Sequence, residues 1–175
     1  MINAIKLFFA ILLGLIYMSL MAFKKAPIPG TSIEMSLQSL SVSTLVIILE
    51  GKAFWVILIY LLLATFGFPL LAEGVANAKW YDLPSAGYYF GFLISSYILA
   101  KILKKFKPSH FFKAWFLFSF NEASILLCGF IFLNFYYASK HAWQIGVAPY
   151  LFGALLKITI ATCLYYAVLQ AKTWN

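Results

Sequence analysis

Residues Pro149–Leu169 read PYLFGALLKITIATCLYYAVL, and the one charge in that stretch is Lys157. About 20 predominantly apolar residues in helical form cross the roughly 30 Å hydrocarbon core of a bilayer. The stretch is therefore a spanning helix. A lysine near its middle costs about 2.5–3.5 kcal/mol on insertion scales and so calls for a reason. Lys157 stands eight residues past Pro149, roughly 12 Å along the helix at about 1.5 Å per residue.

Working outward, five further apolar runs have the same character: Ile5–Phe23, Leu37–Leu49, Ala53–Gly67, Ser85–Leu103 and Phe111–Tyr137. The chain is 64% hydrophobic and 10% charged, with a mean hydropathy of +0.93, whereas soluble domains are about 45–50% apolar and about 25% charged. This composition excludes a soluble enzyme, a nucleic-acid binder and a disordered tail. The expected fold is all-α, one transmembrane domain over 1–175 with six membrane-spanning helices. The second helix is short for a full crossing. Glu50-Gly51-Lys52 reads as a tight turn between antiparallel helices two and three. Ala26-Pro27-Ile28-Pro29-Gly30-Thr31-Ser32, with two prolines and a glycine, cannot be helical throughout, and a loop packed against protein there can extend the short second helix into the bilayer. The apolar run after Lys6 reads as a retained first helix rather than a cleaved signal.

The net charge of +8 comes from 13 lysines against five acids. With the N-terminus inside, Lys6, Lys52, Lys101, Lys104, Lys105, Lys107, Lys113 and Lys172 fall on the cytoplasmic side, and Lys24, Lys25, Lys79 and Lys140 outside. The positive-inside rule then expects both termini in the cytoplasm. The irregular loops after helices one and three, holding Glu34, Glu73 and Asp82, would face outward together.

Glu122, in Asn121-Glu122-Ala123-Ser124, is the second ionisable group inside a span, eleven residues past Phe111. A Glu122–Lys157 contact would offset part of both desolvation costs, with Asn121 and Ser124 as supporting partners. For each charge two readings stand: a structural pair, or a group facing a bound ligand. Ala10 and Gly14 form a small-xxx-small step at which another helix can approach closely. Cys128 and Cys163 lie within apolar runs and suggest no disulfide. His110 and His141 fall on opposite sides of the membrane, and no hydrolase, metalloprotease or phosphate-loop motif occurs. No cofactor or metal is expected. A polar pocket roofed by two outward loops fits capture of a small molecule better than catalysis.

Four segments, in order, resemble the BioY family, the biotin-binding S-components of energy-coupling factor (ECF) transporters. Pro27-Ile28-Pro29-Gly30 and Ser36-Leu37-Gln38-Ser39-Leu40 resemble the family's IP-x-P and T-L-Q-T-L. Gly67-Phe68-Pro69-Leu70-Leu71-Ala72-Glu73-Gly74 resembles G-L-P-V-F-A-x-G. Pro84-Ser85-Ala86-Gly87-Tyr88-Tyr89-Phe90-Gly91-Phe92 resembles P-T-x-G-Y-L-x-G-F. Pro149–Lys157 resembles P-x-x-P-G-D-x-x-K. The resemblance covers most of the chain.

What the resemblance implies is a membrane-embedded subunit that binds biotin from the outer face. Loop one, around Pro27 to Glu34, would gate the pocket. Lys157 would donate to a ligand oxygen, and Gln38 and Tyr88 would be further ligand-facing positions. Ala10 and Gly14 would meet a transmembrane T-component, itself coupled to an ATPase pair, with membrane lipid around the rest. The family's last motif has proline and aspartate where this chain has Phe152 and Ala154, so the ligand-contacting aspartate is absent. Glu73, Asn77 and Glu122 are then the candidates for accepting the ureido N–H groups. The remaining readings are an S-component for another vitamin or a biotin precursor, a small multipass membrane enzyme, or a scaffold.

Overall fold

The computed structural model describes residues 2–27, 34–72 and 78–173. Seven helices follow in order: α1 (Ile2–Phe23), α2 (Gln38–Leu49), α3 (Ala53–Thr65), α4 (Ala86–Lys105), α5 (Phe111–Leu133), α6 (Ser139–Gly146) and α7 (Tyr150–Thr173). Six belong to the membrane bundle. The eight-residue helix α6, only about two turns long, replaces an expected loop between α5 and α7. α5 ends at Leu133 rather than Tyr137, where Asn134 turns its side-chain amide back onto the Phe130 carbonyl at 2.7 Å.

Five segments are long and apolar enough to cross a membrane, and one of them is Gln38–Thr65. That segment is a hairpin. The Gln38 amide donates to the Tyr60 hydroxyl at 2.9 Å, whereas a straight helix would separate residues 22 positions apart by about 33 Å. The reversal occurs at Glu50, whose φ of 55° is unusual for a residue with a side chain, and at the 3₁₀ turn Glu50–Lys52. α3 closes in a Schellman arrangement. Gly67 takes φ 87°, its N–H donates to Ala64 and the Phe68 N–H to Leu63, as the left-handed residue after a helix allows.

In place of an irregular coil, the ends of loop one form an antiparallel ribbon of β1 (Lys25–Pro27) and β2 (Glu34–Ser36), pairing Ala26 with Met35. The Leu37 N–H donates to the Lys24 carbonyl at its base. The ribbon extends the path into the short α2 and pairs the two ends of the loop with each other, packed against protein as irregular chain near lipid must be.

α2 is the innermost element, with every residue from Gln38 to Ile47 buried. Five of those ten are polar, and each has a partner. Ser41 and Thr44 donate to the carbonyls of Gln38 and Leu40, and Gln38, Ser39 and Ser43 bond to other helices. α4 and α5 form the most extensive helix pair. Gly87 and Gly91 face Cys128 and Ile125 so closely that a Cβ at Gly87 would strike the Cys128 carbonyl. This G-x-x-x-G step on α4 permits backbone approach. α1 lies at the periphery and turns Phe8, Leu13, Ile16 and Leu20 outward.

Candidate functional site

Three helices converge on Lys157. From α7 its ammonium donates to Ser39 Oγ of α2 at 3.0 Å, and it lies 3.8 Å from Glu122 Oε1 of α5. The Ser39 hydroxyl in turn donates to the same carboxylate oxygen at 2.8 Å. Ser39 thus accepts from the cation and donates to the anion, bridging the pair. Lys157 is 7% and Glu122 5% exposed. At this separation the attraction is about 4 kcal/mol for an effective dielectric of about 20, and the serine supplies charge-assisted bonds to both members. The carboxylate also lies at the first turn of α2, where the helix dipole favours negative charge.

The neighbouring residue on α5 repeats the pattern. Asn121 donates to Ser43 Oγ at 3.1 Å, so two consecutive polar residues of α5 meet two serines one turn apart on α2. Ser124, expected as a further supporting partner of Glu122, instead donates to the Phe120 carbonyl of its own helix at 2.8 Å.

Above Lys157 the ribbon closes against α7. Met35, 5% exposed, seats its sulfur on Gly153, where any Cβ would collide with it. Gly153 precedes Lys157 by four residues, one turn along the same face. Ala154, buried three residues before the lysine, supplies no polar group. Beside this cluster, Gln38 is held by Tyr60, whose hydroxyl donates to the Leu70 carbonyl and so ties α2 and α3 to the following loop.

The other expected site residues are placed differently. The Tyr88 hydroxyl donates to the Gly146 carbonyl at 2.5 Å and its ring lies against Gly129, so it fastens α4 to α5 and α6. Glu73 and Asn77 lie outside the described residues, as do the central positions of loop one. Gly14 sits on the inner side of α1. It is buried, and a Cβ there would meet Val56 at 2.9 Å and Leu45 at 3.3 Å. The helices that its small size admits are the chain's own α2 and α3, because Gly14 turns inward; Ala10, one turn earlier, is half-buried.

Ser39, Tyr60 and Met35 were not singled out by sequence reasoning. The available signal was the density of polar residues in an apolar helix, Gln38, Ser39, Ser41, Ser43 and Thr44 within seven positions. Lipid tolerates these only when each is turned toward a protein partner. Among the described residues no cluster of His, Cys, Asp and Glu could hold a metal.

Fold and site together define a multi-pass helical membrane protein with a buried, serine-bridged ion pair beneath a docked ribbon. A model described as the BioY family matches residues 2–173, nearly the whole length, and the chain belongs to that family. It is 30% identical over 105 residues to the "Biotin transporter BioY" of Thermotoga maritima, covering 58% of this chain and 60% of that protein. It is 25% identical over 120 residues to the "Probable biotin transporter BioY" of Rickettsia prowazekii, covering 69% and 61%. With the "Biotin transporter BioY2" of Lactococcus lactis subsp. cremoris it shares 24% over 149 residues, covering 82% and 80%. The matched regions thus span about three fifths of the first two relatives. The fold is also that of a solved structure, the S-component for biotin from an ECF-type ABC transporter, with a TM-score of 0.82 over 96% of this chain and 93% of that one at 19% identity.

Proposed function

We propose that this chain is a substrate-capture subunit for biotin, taking the vitamin at the outer face and passing it inward with an ECF T-component and ATPase pair. The observation that carries the reading is the Lys157–Ser39–Glu122 cluster, placed under the ribbon in a chain whose family match runs from residue 2 to 173. The cluster offers both kinds of group that a cyclic urea needs: an ammonium to donate to its oxygen and a carboxylate to accept from its N–H groups. In this reading Glu122 supplies, from α5, the carboxylate that Ala154 lacks on α7, and Glu73 and Asn77 are further acceptors. Gln38 joins through the amide that Tyr60 orients. The ribbon with Met35 is the described part of the gate.

The lysine distribution supports an orientation with both termini in the cytoplasm, which turns the ribbon and the Lys157 cluster outward. The ligand crosses chemically unchanged, so the chain acts as a carrier rather than an enzyme. Purified protein in detergent is expected to bind biotin saturably with one site. Absence of saturable binding by folded protein overturns the proposal. Ala154 favours a second reading, a related ring system in place of biotin, and competition with desthiobiotin and other vitamins separates the two.

A further inference from the structure

The connection between α4 and α5 lies at the end of the bundle away from the ribbon. α7 places Gly153 against Met35 at one end and Tyr166 against Pro108 at the other. Five lysines, Lys101, Lys104, Lys105, Lys107 and Lys113, are exposed here, and no Asp or Glu occurs between Asp82 and Glu122. The segment is anchored. Pro108 is buried, its carbonyl accepts from the Tyr166 hydroxyl at 3.5 Å, and the Phe111 and Tyr166 rings stack at 6.3 Å. Lys101 is held 5.2 Å from the centroid of the Tyr97 ring. Phe112, Phe116 and Phe120, each one turn after the last, are 73%, 68% and 55% exposed. This apolar stripe starts beside Lys113, so the ammonium groups stand at the edge of the lipid-facing surface, at headgroup level.

We propose that Lys104, Lys105 and Lys107, flanked by Lys101 and Lys113, bind the phosphate of an anionic phospholipid. An acidic protein surface would match the charge but not the exposed phenylalanines that continue from it, whereas a lipid matches both, with phosphate on the lysines and acyl chain along the stripe. Polybasic segments next to a spanning helix attract anionic lipid in this way, and a bound phosphate relieves the mutual repulsion of the lysines.

The test uses the full chain in nanodiscs of mixed phosphatidylglycerol and phosphatidylcholine, followed by native mass spectrometry of retained lipid. Wild type is expected to retain phosphatidylglycerol preferentially. Replacing Lys104, Lys105 and Lys107 by glutamine is expected to lower that retention by about fivefold per lysine, while Lys140→Gln, at the other end, leaves it unchanged. Single Lys104→Gln and Lys107→Gln variants give the graded loss if the triple variant does not fold. Retention that is equal for the two lipids overturns the proposal, the result expected if the patch serves an acidic protein. Unchanged retention in the lysine variants overturns it, as does displacement of the lipid by millimolar inorganic phosphate, which would mark a free-anion site.

Discussion

Lys157 Nζ and Glu122 Oε1 lie 3.8 Å apart on helices α7 and α5, with the Ser39 hydroxyl between them bonded to both. Both groups are buried, and the pairing with its hydroxyl bridge offsets part of the cost of taking each charge out of water. The pair also ties three helices together beneath the docked ribbon, and substitution separates its structural role from its proposed ligand-binding one.

Lys157→Ala is expected to lose biotin binding and to destabilise the fold by about 3–5 kcal/mol, since it leaves Glu122 buried and unpaired. The double variant Lys157→Met with Glu122→Gln removes both charges. It is expected to recover most of the stability, read by thermal unfolding in detergent, without recovering binding in calorimetry. Recovery of both would make the pair purely structural.

Ser39→Ala removes the bridge while leaving the charges. The loss of a charge-assisted bond on each side is expected to cost about 1.5–3 kcal/mol and to weaken binding, whereas Ser39→Thr keeps the hydroxyl and is expected to stay near wild type. Equal behaviour of the two variants in unfolding and binding assays would show that the hydroxyl is not what matters.

Ala154→Asp places a carboxylate one turn before Lys157 on α7. Alone it adds a second buried acid and is expected to destabilise. Combined with Glu122→Gln it supplies the lysine with a new partner, and the double variant is expected to be more stable than Glu122→Gln by about 1 kcal/mol or more. A double variant no better than the single would mean that α7 cannot bring an aspartate to the ammonium.

Gly153→Val drives a side chain into the position of the Met35 sulfur. Overpacking of this kind costs about 1–3 kcal/mol, and here it falls on the ribbon. Faster biotin release is expected in stopped-flow measurements, with a second change, Met35→Ala, returning the rate toward wild type. An unchanged release rate in Gly153→Val would exclude the ribbon from ligand retention.

Much of the fold was legible in the residues because lipid imposes strict terms. Backbone groups there must be paired internally and charges are few, so apolar length reveals helices and each intramembrane charge stands out. Lys157 and Glu122 were found for that reason. The polar residues of α2 were less legible, since serine and threonine can satisfy themselves on their own helix, as Ser41 and Thr44 do. Nothing along the chain distinguishes these from Ser39 and Ser43, which bond across to α5. Gly14 and Gly87 pose the same ambiguity: a small residue announces close approach but not the partner, and both are used inside the chain.

The amino-acid sequence by itself determined a multi-pass helical protein, the tight turn at Glu50-Gly51-Lys52, and the two buried charges, because these follow from local apolar length and from the cost of charge in hydrocarbon. Only the tertiary structure decided that Ser39 bridges Lys157 to Glu122, that Tyr88 fastens α6, and that Met35 closes on Gly153. Those contacts join residues as many as 118 positions apart. Their formation depends on how helix faces rotate toward one another, which is set by packing summed over the whole bundle rather than by any one segment.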